Sequence, residues 1–215
     1  MAIQEADGIH NSLGSIVYYT RNGRKCMRLK SASFKDAKTP NQLKHRHKMR
    51  LAGEFTSSCK RFLAIGFQDA PRSMDNASNE ARSYIIKNCF DTTGDLPVLD
   101  YSKISISRGY IQRPEITSTI LEGRNLVIKW RLPYRGENVK ADDRVMVMAY
   151  SDFGILNKSQ FFFDIATRSE GTATIQLPLS TEPVHTWMFF HNPNAVIGES
   201  RNKISDSVYL GKFEL

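Results

Sequence analysis

Cysteine is scarce in this chain of 215 residues, which contains only Cys26, Cys59 and Cys89. The three are far apart and no Cys-x-x-Cys pair occurs, which argues against a zinc ribbon and against a redox-active pair. An odd number of widely spaced cysteines also argues against a disulfide framework, and it favours a reducing compartment or one in which disulfides are not needed.

Long apolar runs and targeting signals are missing as well. No hydrophobic stretch approaches the roughly 20 residues that a transmembrane helix needs. The opening stretch MAIQEADGIHNSLG lacks the basic and apolar regions of a secretory signal. We therefore expect a protein that is not inserted in a membrane. We expect it in the cytoplasm, and in a virion if it assembles into a particle.

Catalytic signatures do not occur either. The chain has no Gly-x-Ser-x-Gly elbow and no glycine loop of the kind that binds phosphate. Ser205-Asp206-Ser207 and Asp142-Asp143 are better explained as turn or strand-entry residues whose side chains bond their own backbone. We expect no enzymatic activity, no catalytic residue and no cofactor.

The histidines do not form a metal site in the predicted elements. His45 and His47 are two residues apart in a predicted helix, so they point in nearly opposite directions and cannot chelate one ion. His185 and His191 bracket one predicted strand without a third ligand. We expect no metal, and we expect the latter two to be satisfied histidines of a β-sheet domain.

Acidic residues are rare in the first third of the chain. Residues 1–70 contain thirteen Lys and Arg against five Asp and Glu, whereas residues 71–215 contain seventeen of each, so the net charge of +8 comes entirely from the first third. This asymmetry indicates an anionic partner for that end, whether nucleic acid, a membrane surface or an acidic protein. An idle basic surface is the alternative.

A β-hairpin is predicted near the N-terminus. Two β-rich runs, Ser15–Thr20 and Lys25–Lys30, flank Arg21-Asn22-Gly23. Asn-Gly between such runs is a strong hairpin signal because both residues tolerate positive φ.

Two helices are predicted to follow the hairpin. The first begins at Pro40, with Thr39 as N-cap and Gln42 completing a capping box, and it runs to about Ile65. The second lies within SMDNASNEARSYIIKNCF.

Short strands are predicted beyond residue 95. Trp130 in NLVIKW is placed like the buried tryptophan of a β-sandwich core, and no cysteine pair flanks it as in antibody domains. The predicted fold class is α+β, with a β-hairpin and two helices in residues 1–95 and an antiparallel β-sandwich, fibronectin-III- or immunoglobulin-like, in residues 96–215. The eight predicted strands are SKISIS, EITSTIL, NLVIKWR, RVMVMAY, SQFFFDIA, GTATIQL, HTWMFFH and SDSVYLGKFEL.

Basic residues are the sequence feature that points to a partner. KTPNQLKHRHKMR, residues 38–50, contains five Lys and Arg and two His. The first turns of this helix precede its apolar stripe, so they are predicted to project beyond the core. Tyr18 and Tyr19 interleave with the hairpin charges, and aromatic rings can stack on bases. The candidate anion- or partner-docking residues are Arg21, Arg24, Lys25, Arg28, Lys44, Arg46, Lys48, Arg50, Lys60 and Arg61.

Four motifs resemble those of an uncharacterised family of proteins from Bacteroidota: GSIVYYTRNGRKCMRLK, TPNQLKHRHKMRLAGEF, FLAIGF and SDSVYLGKFEL. Members of that family open with a basic, glycine-containing element, continue with TPxQ and close with SDSxYLG. The resemblance covers nearly the whole chain, although RLKSAS departs from the Lys-Pro expected after Arg28. The family has no assigned activity. Its first half is similar to parts of phage and mobile-element proteins, which implies a structural role.

The resulting functional hypothesis is a non-enzymatic subunit of a bacteriophage or phage-like particle. Its basic N-terminal arm would self-associate or bind other subunits. The alternative is a nucleic-acid-binding protein that uses the basic residues of 21–61, for which charge reversal at Arg46 and Arg50 should abolish binding. Two further alternatives stay open: an enzyme in which Asp206, His185 or His191 converge, and a sandwich that binds a sugar or protein through Tyr134 and Phe153.

Overall fold

Helices and antiparallel sheets both contribute to the fold, which confirms the predicted α+β class. The computed structural model describes residues 3–5, 8–21, 23–31, 36–67, 74–132, 139–151, 159–194 and 203–215, without the side chains of residues 3–5, 8–13 and 74–75. Two compact units divide the chain, residues 1–40 and residues 41–215.

The first unit is a four-stranded antiparallel sheet. Its strands are β1 (Ile3–Glu5), β2 (Gly8–Leu13), β3 (Ile16–Arg21) and β4 (Arg24–Leu29), in the order β1-β2-β3-β4. The predicted hairpin is β3–β4. Arg21 is opposite Arg24 in its register, and Gly23 has a φ of 75°, in the region that such a two-residue turn requires. Strands β1 and β2 were not predicted.

Three helices begin the second unit: α1 (Pro40–Ser58), α2 (Lys60–Gly66) and α3 (Met74–Asn88). The start at Pro40 is confirmed, but the single helix predicted to reach Ile65 is interrupted at Cys59. Hydroxyls at the end of α1 bond backward to the backbone: Thr56 donates to the Ala52 carbonyl at 2.8 Å and Ser58 to that of Phe55 at 2.7 Å. Such bonds compete with the helical ladder and bend helices.

Nine further strands lie in the described residues of the second unit. The strands β5 and β6 form a two-stranded sheet, β10-β9-β12-β13 a four-stranded sheet, and β11-β8-β7 a three-stranded sheet. Their bounds are β5 (Phe90–Asp91), β6 (Val98–Leu99), β7 (Ile116–Glu122), β8 (Asn125–Trp130), β9 (Arg144–Ser151), β10 (Ser159–Phe162), β11 (Thr172–Gln176), β12 (Val184–His191) and β13 (Val208–Phe213).

Seven of the eight predicted strands are present, and the exception is SKISIS. A short 3₁₀ helix, Tyr101–Lys103, begins there instead, because the Asp100 side chain accepts the Ser102 backbone N–H at 3.1 Å and caps that turn. Ile104 and Ile106 are buried without forming a strand. Alternation alone therefore did not distinguish a buried loop from a strand.

The four-stranded sheet of the second unit, β10-β9-β12-β13, has buried side chains on both faces. Val145, Val147 and Ala149 of β9 share one hydrophobic cluster with the three-stranded sheet, and Trp130 lies in the same cluster as predicted. Met146, Met148 and Tyr150 of β9 share the other cluster with the three helices. Because side chains alternate along a strand, β9 joins two cores.

The helices and the sheets therefore share a core, and the division predicted between residues 95 and 96 lies inside the second unit. Phe90 of β5 pairs with Leu99 of β6 across that point.

Within the described residues, no helix is long and apolar enough to cross a membrane. The fibronectin-III- or immunoglobulin-like type of the sheet pair stays a prediction.

Candidate docking surfaces

The β3–β4 hairpin separates its basic residues onto two faces. Residues that are directly opposite in an antiparallel pair lie on the same face. The register places Val17 opposite Arg28, Tyr19 opposite Cys26 and Arg21 opposite Arg24. One face therefore carries the arginines together with Tyr19. We call this the arginine face, and all of its arginines are exposed.

The other face of the hairpin is mostly apolar. Ile16 lies opposite Leu29, Tyr18 opposite Met27, and Thr20 opposite Lys25. Met27 is 71% exposed and Leu29 is 74% exposed. We call this the apolar face. Lys25, which the sequence groups with the arginines, belongs to the apolar face, where it lies near the turn.

The start of α1 is exposed as predicted. Residues 41–46 are all exposed, including Lys44 and Arg46, and the first buried residue of the helix is Ala52. Two basic residues further along contact other side chains. The Lys48 ammonium lies 5.4 Å from the centre of the Phe90 ring, and Arg50 donates to the Glu54 carboxylate at 2.8 Å.

The interruption at Cys59 changes the position of the last two candidates. Lys60 and Arg61 are exposed at the start of α2, which is a separate helix from the one that carries Arg46 and Arg50. The ten candidates thus form a hairpin group in the first unit and a helix group in the second. Each group is a surface of its own.

The two histidines of β12 do not converge. His185 stacks on Tyr101 with ring centres 4.1 Å apart, and its Nδ1 lies 2.7 Å from the Tyr209 hydroxyl, so it is satisfied as expected. His191 is at the other end of the same strand, and burial lowers its pKa. In the described part of the chain, no group of three or more His, Cys, Asp or Glu residues is arranged to hold a metal ion.

The SDS motif connects distant backbone segments instead of bonding mainly to its own turn. The buried Ser205 hydroxyl accepts the Phe190 N–H at 2.8 Å, and the Ser207 hydroxyl accepts the Ile106 N–H at 3.0 Å. The Asp206 carboxylate accepts the Gly109 N–H at 3.1 Å. These bonds hold the entry of β13 against β12 and the loop after the 3₁₀ helix, which is a structural use of the motif.

Sequence reasoning missed a buried ion pair. Arg168 Nε lies 2.9 Å from Asp143 Oδ2, and their side chains are only 3% and 1% exposed. Asp143 was predicted to be a turn or strand-entry residue, and it does precede β9, but its partner is 25 residues away in sequence. Nothing in local spacing signals such a pair.

Tyr134 and Phe153, the aromatic candidates for sugar or protein binding, lie outside the described residues.

A cleft of about 660 Å³ lies at one edge of the second unit, between the segment 112–116 and the start of β13. Arg113, Glu115 and Tyr209 contribute to its lining together with Ser102 and Ser207. Neither His185 nor His191 is among its lining residues, so the cleft does not assemble the convergent site that the enzyme alternative requires.

A family model described as a family of unknown function (DUF6266) matches residues 8–211. The chain is a member of DUF6266. No curated protein matches it. The match confirms that the chain belongs to an uncharacterised family, and it spans both structural units of this DUF6266 protein, from β2 to β13.

Proposed function

We propose that this DUF6266 protein is a non-enzymatic structural subunit that self-associates through its N-terminal sheet. The observation that supports this proposal is the contrast in burial between the two units. In the first unit, no side chain that the structure describes is buried, whereas the second unit has two extensive apolar cores.

A sheet in which no described side chain is buried is suited to a covering partner. Strands become stable when one face of the sheet packs against another layer. Burying one Met or Leu side chain stabilises by about 1.5–3 kcal/mol, and both Met27 and Leu29 are largely exposed. Contact with another molecule would bury these two side chains, and their burial would stabilise the complex.

We further propose that the assembly is a bacteriophage or phage-like particle and that the two large sheets form an immunoglobulin-like sandwich. The support is the composition of the two units: the second contains two large sheets, and the first is a basic sheet that carries exposed apolar side chains. Repeating assemblies need such an extension because each subunit must present a surface that the next one recognises. A membrane plays no part in this proposal.

Molar mass measured by light scattering tests the proposal. We expect the wild-type mass to rise with protein concentration, in the absence of DNA, and to stay at the monomer value in a variant with Met27→Asp and Leu29→Asp. Leu179→Asp is the matched control because Leu179 is 80% exposed in the second unit. A wild-type protein that stays monomeric at high concentration, and is found in no particle, contradicts the proposal.

Nucleic-acid binding is the second candidate, and the arginine face favours it. Arg21, Arg24 and Arg28 lie on one face with Tyr19 between them, so guanidinium groups can contact phosphates while the ring stacks on a base. The residues to reverse in charge are therefore the hairpin arginines and not Arg46 and Arg50, since Arg50 already pairs with Glu54.

Fluorescence anisotropy with mixed-sequence DNA tests this second candidate. Binding should weaken steeply as salt rises, because bound phosphates release counterions. It should be lost with Arg24→Glu and Arg28→Glu, and it should persist with Lys44→Glu and Arg46→Glu. If the helix variant loses binding and the hairpin variant keeps it, the arginine face is not the binding surface.

A further inference from the structure

The β5–β6 hairpin of the second unit has the opposite charge to the β3–β4 hairpin. Between Lys87 and Lys103 the chain contains three Asp and no Lys or Arg. Asp91 and Asp95 are exposed on this hairpin. The third, Asp100, is engaged locally, since its carboxylate bonds the Lys103 ammonium at 2.9 Å.

The same hairpin also carries exposed aliphatic side chains. Leu96 is 57% exposed and Val98 is 65% exposed, whereas Pro97 and Leu99 between and after them are buried. Asp91 is opposite Val98 in the register, so a carboxylate lies on the same face as an exposed aliphatic group. Bonds from Thr93 lower the pKa of Asp91, which keeps this carboxylate ionised at neutral pH.

We propose that the β3–β4 hairpin of one molecule docks on the β5–β6 hairpin of a second copy of the chain. This inference rests on the proposed self-association and names the surface that receives the arm. The complementarity is both apolar and electrostatic. Met27 and Leu29 follow a basic turn on one hairpin, and Leu96 and Val98 lie beside Asp91 and Asp95 on the other. Opposite charges beside an apolar contact select the partner and fix its register.

Strand edges support the same pairing. β4 is the last strand of its sheet and β6 is one of the two strands of its own, so each has a second edge without a strand neighbour among the described elements. An exposed strand edge can accept a strand from another chain, with main-chain hydrogen bonds giving affinity and side chains giving specificity. On β4, Lys25, Met27 and Leu29 share one face, and Met27 and Leu29 can align with Leu96 and Val98 along the segment that enters β6.

The interface is heterologous, because two different surfaces of the same chain meet. Each molecule offers one basic and one acidic hairpin, so a molecule that has docked still presents a surface for the next. Interfaces of this kind generate rings when the rotation closes and open filaments when it does not. A repeating assembly of a single chain follows from this geometry alone.

A charge-swap experiment on the full-length protein tests the pairing. The first variant carries Arg24→Glu, Lys25→Glu and Arg28→Glu, so both of its hairpins are acidic. The second carries Asp91→Lys and Asp95→Lys, so both of its hairpins are basic. We expect each variant alone to self-associate about tenfold more weakly than the wild type, because like charges then meet. An equimolar mixture should recover the wild-type mass, since each acidic hairpin then finds a basic one.

Fold checks and controls accompany the swap. Because Asp91 bonds the Thr93 N–H at 2.9 Å, a third variant with Thr92→Lys and Asp95→Lys makes this hairpin basic while leaving that bond intact. Circular dichroism verifies that every variant is folded. Lys44→Glu with Arg46→Glu, and Glu122→Lys with Glu182→Lys, are controls that change charge elsewhere and should leave assembly unchanged.

The outcomes separate this inference from the proposed function. If the wild type assembles but the folded swap variants also assemble alone, or their mixture stays monomeric, the hairpin pairing is wrong and self-association stands. Loss of assembly in the Lys44 and Arg46 control likewise overturns the pairing. A monomeric wild type at every concentration overturns both proposals.

Discussion

Gly66 shows at the scale of one residue why a motif can require a glycine. It ends α2, and its carbonyl accepts the Arg108 N–H at 2.9 Å. A Cβ atom at this position would overlap the backbone carbonyl of Ile106. The glycine in FLAIGF therefore allows α2 to lie directly against the loop that the SDS motif holds from its other side.

Replacing Gly66 by Ala should destabilise the protein by about 3 kcal/mol, because backbone cannot move aside as a side chain can. Gly53→Ala is the matched control, since Gly53 lies inside α1 with no atom within 4 Å of the added Cβ. That control should be stabilising by roughly 1 kcal/mol. Urea denaturation of both variants measures the difference, and equal effects would show that Gly66 has no packing constraint.

The three thiols should differ in reactivity. Burial raises the pKa of the Cys59 thiol well above its usual range and that of Cys89 to about 12, and only the thiolate reacts. Cys26 lies on the hairpin and is half-buried. In dilute native protein, a thiol reagent should modify one cysteine per chain. Cys26→Ser should react only after unfolding, so rapid native labelling of that variant contradicts the structure.

At the scale of elements, the buried ion pair joins parts of the fold that are distant in sequence. Arg168 lies in a 3₁₀ helix, Arg168–Glu170, and donates to Asp143 at the entry of β9 and to the Gln112 carbonyl at 3.0 Å. Its guanidinium lies 3.8 Å from the centre of the Phe190 ring on β12. One side chain therefore connects the entry of β9, β12 and the segment that precedes β7.

Removing one partner of this pair should cost more than removing both. Arg168→Met should destabilise by about 3–5 kcal/mol, since a buried carboxylate is then left without its counter-charge. Adding Asp143→Asn to that variant should recover part of the loss. Thermal unfolding of the two variants measures this coupling, and additive losses would indicate that the pair does not act as a unit.

The same variant should acquire a pH dependence of known sign. Burial raises the pKa of Asp143, and the Arg168 guanidinium opposes that shift. Without Arg168 the folded-state pKa rises further above the unfolded value of about 3.9, so the folded state binds more protons. The stability of Arg168→Met should therefore fall as pH rises through this window and stay low above it, as unfolding measured across a pH series will detect.

At the scale of the whole molecule, the two units differ in how their strands are stabilised. β9 and β12 lie between two apolar clusters, whereas β3 and β4 have no buried side chain. Local opening costs little where few apolar contacts are lost. The chain thus combines a unit that has two apolar cores with a hairpin, β3–β4, that has no buried side chain.

Hydrogen exchange should reveal this difference directly. In dilute protein, the amides of β3 and β4 should exchange at the earliest times, while those of β9 and β12 stay protected. Protection of β3 and β4 should increase with protein concentration in the wild type and not with Met27→Asp and Leu29→Asp. Strong protection of the hairpin in dilute monomer would show that it is already covered.

Local signals determined the elements of this protein well. Asn22-Gly23 predicted the β3–β4 hairpin, the Thr39-Pro40 pair predicted the start of α1, and period-two alternation predicted seven strands, because turn chemistry and side-chain periodicity act over a few residues. The family resemblance also required only the sequence. The candidate basic residues were found in the same way, but not their division between two faces and two units.

Long-range contacts decided the rest. The three helices share a core with the sheets through contacts between residues that are distant in sequence. Phe55 contacts Tyr150 and Trp187, which lie about 100 or more residues further along the chain. Neither the Arg168–Asp143 pair nor the contact of Gly66 with Ile106 has a local signature, and SKISIS became a 3₁₀ turn and a buried loop through such packing. The sequence by itself determined most of the elements and where the charge lies. Only the tertiary structure decided which faces are covered, because burial depends on partners that sequence spacing does not specify.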